Sequence, residues 1–322
     1  MRERISTDNA AKLTELTQVQ CDEITQIDWS PNGTILAVAG GKTVRLYAGT
    51  FGGQPTHTLT AHSDLVTGIA FSPDNQQLIS VSADKSIKLW DISDMQIAVS
   101  EIITLIAHQD CVKATAFGPR SKYIATAGGD GLIYLWDTQT HLHTAVLRGH
   151  QQAVHSVAFA LRGNILVSGG QDKTVRLWDT TAETEGTVIG THDDEVQAVC
   201  VNSPGTMIAS AGKEGAVRLW DALSGDLYAT IIAHTGGVTS VVFSPYGELL
   251  ATGGQDQVLR VWNVQRVLAE GKAAQSDALI TLAGHQKPIL SLAFNPPGTL
   301  LASGGGDNTV RLWSVPHQPE EL

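Results

Sequence analysis

Asp172-Lys173-Thr174-Val175-Arg176-Leu177-Trp178 is the phrase that decides the fold, because it returns as Asp84-Lys85-Ser86-Ile87-Lys88-Leu89-Trp90 and as Asp307-Asn308-Thr309-Val310-Arg311-Leu312-Trp313. Looser copies lie between. Self-similarity at a steady period marks a repeat architecture, in which each unit buries its apolar surface only by stacking on its neighbours. The closing aromatics are Tyr47, Trp90, Trp136, Trp178, Trp220, Trp262 and Trp313, separated by 43, 46, 42, 42, 42 and 51 residues, which makes seven units. In six of them a histidine, at His62, His108, His150, His192, His234 or His285, stands 28 residues before the tryptophan.

Inside a unit the pattern is that of short strands. Val238 to Phe243 is one apolar run, Ser244-Pro245-Tyr246-Gly247 a turn, Glu248 to Thr252 a second run, and Val258 to Trp262 a third after a Gly-Gly turn. A fourth strand, such as Ala145-Val146-Leu147, precedes the next histidine. With Gly149-His150 near the start of a unit and Trp178-Asp179 at its end, the chain resembles the WD-repeat (β-transducin-like) family over about residues 13 to 315. The resemblance implies an all-β, seven-bladed β-propeller of four-stranded antiparallel blades. It would be one domain, 1–322, with repeats at approximately 13–48, 56–92, 102–138, 144–180, 186–222, 228–264 and 279–315. The last repeat ends at Trp313-Ser314-Val315 before Pro316 and Pro319, which cannot donate to a strand ladder. Its fourth strand is therefore expected from the N-terminal segment, at Lys12 to Thr17.

Six units also place a Ser or Thr four residues before a turn acid. The resulting sets are His62, Ser80, Asp84, Trp90; His108, Thr126, Asp130, Trp136; His150, Ser168, Asp172, Trp178; His192, Ser210, Glu214, Trp220; His234, Thr252, Asp256, Trp262; and His285, Ser303, Asp307, Trp313. Ser, His and Asp together invite a hydrolase reading, but a nucleophile needs one exposed, strained position, and six evenly spaced copies describe architecture. The family implies a buried chain of hydrogen bonds from acid through His and Ser/Thr to Trp. In the first unit the His position reads as Gln20, the Ser/Thr position is Val38, the Trp position is Tyr47, and the turn at Gly41 is one residue shorter. Removing one member of a buried network strands the others, whereas replacing all of them by packing groups is nearly neutral. The first unit is thus expected to have dropped the network as a whole and to be the softer sector.

Composition bounds the function. The chain of 322 residues carries 21 basic and 32 acidic side chains, net −11, which disfavours phosphate contacts and nucleic acid. Three cysteines, Cys21, Cys111 and Cys200, form no CxxC pair, so neither a disulfide framework nor a cysteine-based zinc site is expected. No apolar run approaches the roughly 18 residues of a membrane span, and no secretory signal is evident, so a cytoplasmic location is expected. No cofactor or metal is expected either. Gly41-Lys42-Thr43 lacks the earlier glycine of a phosphate loop, since Leu36 stands there, and His141 and His143 have no further ligand nearby. The connection after Trp262 is longer than its peers; Val264 to Lys272 is expected to be helical, ended by Gly271, and to be an insertion rather than a docking element.

The resemblance implies a non-catalytic scaffold that binds a protein or peptide, with a monomer assumed. A ligand-sensing module is the alternative reading, and a propeller enzyme the weakest. The three residues after each His position together hold seven acids and one base: Asp22, Glu23, Asp64, Asp110, Asp193, Asp194 and Glu195 against Lys287. The family places these connections on one face around the channel mouth. That face is expected to be acidic and to hold a basic partner, with Leu65, His155, Gln197 and Leu290 as contacts near the mouth.

Overall fold

The structure, a computed structural model, describes residues 2–49, 51–95, 99–119, 122–160, 163–181 and 185–316, so Pro319 lies outside the described residues. Seven antiparallel sheets stand in a ring. Blade 4 shows the plan: an inner strand a, Val154–Ala160; strand b, Ile165–Gly170; strand c, Thr174–Asp179; and an outer strand d, Thr187–Thr191. The inner strands of successive blades, among them Gln26–Trp29, Val66–Phe71, Val112–Phe117, Val196–Val201, Val238–Phe243 and Ile289–Phe294, touch one another in cyclic order.

Strand b is covered on both faces, which explains its unbroken apolar and small-residue sequence. Ile35–Gly40 and Leu249–Gly254 are buried at every residue. Blades approach so closely because β-branched side chains of one inner strand seat on small residues of the preceding strand b. A Cβ on Gly253 would stand 2.6 Å from Ile289 Cγ2, and one on Gly169 2.3 Å from Val196 Cγ1. Each blade therefore shares an apolar cluster with its neighbour, as where Ala125, Ala127, Ile133 and Leu135 of blade 3 meet Val154 and Val157 of blade 4.

The ring closes through its first strand. Thr14–Gln20 pairs antiparallel with Thr309–Ser314, from Thr14 opposite Ser314 to Gln20 opposite Thr309, and so becomes the outer strand of the last blade. The strand begins later than Lys12, which ends a short 3₁₀ turn, Ala10–Lys12. Ahead of it the chain forms a strap the repeat pattern does not contain: Ile5 N–H donates to Gly298 O at 2.8 Å, Arg4 pairs with Glu248 at 3.0 Å and lies over the Tyr246 ring, and Ile5, Ala10 and Leu13 are buried.

The insertion after Trp262 holds the helix Val264–Glu270, capped by Asn263 at its start and by Gly271 in the left-handed region at its end. It then adds a strand, Lys272–Ala273, parallel to the outer strand of blade 5, Leu227–Ile232. Blade 5 consequently has five strands rather than four, and the insertion straddles blades 5 and 6.

Deleting residues 1–20 removes the closing strand and leaves the edge of Thr309–Ser314 unpaired. The truncated chain should lose its single cooperative transition in calorimetry and self-associate in size-exclusion chromatography; melting like the full chain as a monomer would refute this account of closure.

Candidate functional site

The four-residue sets come together in six blades. Trp Nε1–H donates to the Ser or Thr hydroxyl at 2.8–3.0 Å. That hydroxyl lies 2.7–3.0 Å from His Nε2. His Nδ1 lies 2.6–3.2 Å from the turn carboxylate at its nearer oxygen. An indole can only donate, so the hydroxyl proton is free for Nε2, and Nδ1–H is left to donate to the carboxylate. Each indole N–H, hydroxyl and imidazole nitrogen of the six sets is thereby used, while Glu214 Oε2 in blade 5 is buried without a partner among the described residues. Burial alone would raise the Asp84 carboxyl, but the Ser86 hydroxyl and amide, Ser63 N–H and His62 outweigh it and bring the pKa down to about 2. Burial also lowers His62 and His285, against the pull of Asp84 and Asp307. The hydroxyls of Ser80, Thr126, Ser168, Ser210, Thr252 and Ser303 belong to residues with 0% exposure.

Blade 1 differs from the sequence reading in its register. Cys21, not Gln20, occupies the His position: Cys21 N–H donates to Asn308 O as His192 N–H does to Lys173 O and His234 N–H to Gly215 O. Gln20 is exposed and its amide donates to Asn308 O at 3.1 Å. The connection after Cys21 is one residue shorter than its peers, and backbone fills the space of the missing imidazole. A Cβ on Gly40 would lie 1.5 Å from Glu23 O, where one on Gly128 would meet the His108 ring. Tyr47 puts its hydroxyl 3.5 Å from Cys21 Sγ and packs on Phe51. Val38 is fully buried beside Ile24, Ile27 and Leu36.

The connections after the His positions lie at the same end of the ring as the turns between strands b and c, as Gln151 N–H donating to Asp172 and Gln171 N–H to Ala153 O shows for blade 4. Of the seven acids, the structure neutralises three with cations far away in sequence. Asp22 pairs with Arg45, Asp193 lies 3.7 Å from Arg218, and Glu195 lies 3.7 Å from Lys213 and 3.6 Å from His155. Asp64, Asp110 and Asp194 each accept the next residue's N–H with Oδ1, at 2.7, 2.7 and 2.8 Å. These three and Glu23 have no ion pair among the described residues, and Glu23, Asp64 and Asp110 are exposed. The basic residues two before each closing aromatic are mostly spent in pairs, including Lys88 with Glu101, Arg260 with Asp256 and Arg311 with Glu15.

Below this face runs a polar channel of about 240 Å³. His155, Gln197 and Leu290 line it at one equivalent position, joined by Thr25, Thr67, Lys113 and Thr239. Leu65 lies two residues before Thr67, with its carbonyl accepting Ala83 N–H. Inner strands are sheet edges, and their outward N–H and C=O groups need partners. Side chains of the preceding blade supply them. Ser291 accepts Ile27 N–H, Gln26 accepts Ile69 N–H, Ser156 accepts Val199 N–H and Ser240 accepts Leu292 N–H, at 2.8–3.1 Å. Thr25, Thr67 and Thr239 donate to Val66 O, Val112 O and Ile289 O. The Cys200 thiol lies against the Phe243 N–H of the next blade, and burial pushes its pKa up. Asp28 lies against the Phe71 N–H; desolvation at the inner wall pushes its carboxyl up to about 7, opposed by the backbone N–H groups of Phe71 and Trp29.

A family model described as EIPR1 beta-propeller matches residues 3–178, and one described as WD domain, G-beta repeat matches 184–221, 225–263 and 276–314. The chain is similar to the Periodic tryptophan protein 2 homolog of Schizosaccharomyces pombe, 60% identical over 12% of this chain and 4% of that protein. It is 41% identical to WD repeat-containing protein 75 of Danio rerio over 20% of this chain and 8% of that protein. It is 37% identical to Target of rapamycin complex subunit wat1 of Schizosaccharomyces pombe over 22% of this chain and 23% of that protein. The chain thus spans under a quarter of each relative's length.

His150→Ala should destabilise the fold by about 1–3 kcal/mol in urea unfolding, and Cys21→Ala at the equivalent place in blade 1 by less than about 1 kcal/mol; equal losses would contradict the network's role. Asp28 binds its proton more tightly folded than unfolded, so its contribution to stability is present at low pH and is lost as pH rises from about 4 through about 7. Asp28→Asn keeps an oxygen for Phe71 N–H and removes the titration. Its stability relative to wild type should rise by about 1 kcal/mol or more between pH 5 and pH 8, and a difference independent of pH would exclude the effect.

Proposed function

The chain belongs to the EIPR1 beta-propeller family and carries WD repeats, and on that premise we propose that it is a non-catalytic scaffold holding a basic segment of a partner protein on the face around the channel mouth. WD propellers are typically protein-interaction scaffolds, and relatives such as wat1 are named as subunits of complexes. The observation that carries the reading is the arc of unneutralised acids: Glu23, Asp64 and Asp110 follow one another over blades 1 to 3, with Asp194 further round. Asp64, Asp110 and Asp194 each bind their own turn with one oxygen and leave the other for a cation. Asp22, Asp193 and Glu195 contribute less because Arg45, Arg218 and Lys213 already offset them. Leu65, His155, Gln197 and Leu290 would form the floor.

The enzyme reading finds no support in the recurring Ser-His-Asp sets. Each hydroxyl accepts an indole N–H and donates into its histidine, at a place no substrate reaches. No helix among the described residues is long and apolar enough to cross a membrane.

Asp64→Lys with Asp110→Lys should leave the melting temperature unchanged and weaken binding of a labelled Lys/Arg-rich peptide by about tenfold or more. Wild-type affinity should fall as salt rises from about 0.05 to about 0.2 M. Fluorescence anisotropy measures both, and salt-independent binding that survives the double substitution would place the docking surface elsewhere.

A further inference from the structure

The ties between neighbouring inner strands are unevenly distributed. Blades 1 and 2 are joined by Thr25 and Gln26, blades 2 and 3 by Thr67, blades 4 and 5 by Ser156, blades 6 and 7 by Thr239 and Ser240, and blades 7 and 1 by Ser291. Blades 5 and 6 have Cys200 inside and the Lys272–Ala273 strand outside. The seam between blades 3 and 4 has no such hydrogen bond among the described residues, because the tying positions hold Lys113 and Ala114. Apolar packing alone joins these two blades at the inner wall.

Two nitrogen-bearing side chains, Lys113 and His155, face the channel at this seam. Lys113 is half-buried, and no carboxylate pairs with it among the described residues. His155, its equivalent on blade 4, has a buried Nε2 with no hydrogen-bond partner; the nearest carboxylate, Glu195, reaches it from blade 5 at 3.6 Å and is also held by Gln197 and Lys213. The rest of the lining is hydroxyl and amide: Thr25, Thr67, Thr115, Ser156, Gln197 and Thr239. At about 30 Å³ per water, 240 Å³ holds roughly eight waters. That is smaller than the roughly 300–1,000 Å³ of sites for drug-sized ligands, and suits a hydrated ion.

We propose that the channel at the seam of blades 3 and 4 is a binding site for a small oxyanion of phosphate type, held between Lys113 and His155 and supplying the tie this seam lacks. The anion would bring negative charge to an unpaired ammonium and an acceptor to an unpaired ring nitrogen, which are the two unmet needs of the site. Burial, and after it Lys113, keep the free His155 below its ordinary pKa, while Glu195 opposes and Lys213 adds to the lowering. A bound oxyanion would therefore raise the His155 pKa.

The test is calorimetric titration of the full chain with inorganic phosphate at constant ionic strength, alongside NMR titration of His155. Wild type should bind saturably at one site, with the His155 pKa moving up. Lys113→Gln and His155→Gln should each weaken binding at least about tenfold, and Lys287→Gln on the rim should not. Lys113→Gln removes a repulsion and no hydrogen bond, so an unchanged melting temperature without phosphate verifies that it folds. Glycerol 2-phosphate binding as well as phosphate would support the same Lys113 and His155 site and extend the ligand class to esters, while weaker binding supports the free anion. Absence of saturable binding by wild type, or equal binding by Lys113→Gln and His155→Gln, overturns the proposal.

Discussion

Neither face of a blade can be left to water, and this constraint governs the rest of the molecule. Strand b of each sheet is buried on both sides, so every blade needs a neighbour before and after it, and only a closed ring provides both. Closure then falls to Thr14–Gln20, which joins a strand almost three hundred residues away. The small residues of strand b follow from the same demand, since Gly253 and Gly169 admit Ile289 and Val196 only by lacking a Cβ.

Within that ring the polar groups divide into two systems. The Trp, Ser/Thr, His and acid chains lie inside individual blades and fix each turn against its own strands through a continuous run of hydrogen bonds. The inner-wall ties lie between blades and satisfy strand edges that the blade itself leaves open. Blade 1 has no network of the first kind and is tied by the second through Thr25, Gln26 and Ser291, so apolar packing and inter-blade bonds take over where the histidine is missing.

The face around the channel shows how pairing reshapes a charge pattern. A run of acids in the connecting turns reads as one negative patch, but Arg45, Arg218 and Lys213 reach three of them from neighbouring strands and turns. The charge without an ion pair among the described residues is concentrated on Glu23, Asp64, Asp110 and Asp194. Below the mouth the lining changes to hydroxyl and amide groups with Lys113 and His155 among them.

The amino-acid sequence by itself determined the number of blades, the order of strands and the grouping of six His-to-Trp sets, because each depends on residues at short, repeated separations such as the 28 between His150 and Trp178. The helix after Trp262 was legible for the same local reason, in Val264 to Gly271. Tertiary structure alone decided what depends on residues far apart in the chain. It placed Cys21 rather than Gln20 at the vacant His position, because a connection one residue shorter draws backbone into the space of the ring. It also added the fifth strand to blade 5, laid the strap of Arg4 and Ile5 over blades 6 and 7, and distributed the ties that leave one seam open. Those contacts are set by which side chain faces which edge after the ring has closed, and a repeat pattern, which makes all seven units equivalent, contains no trace of where they differ.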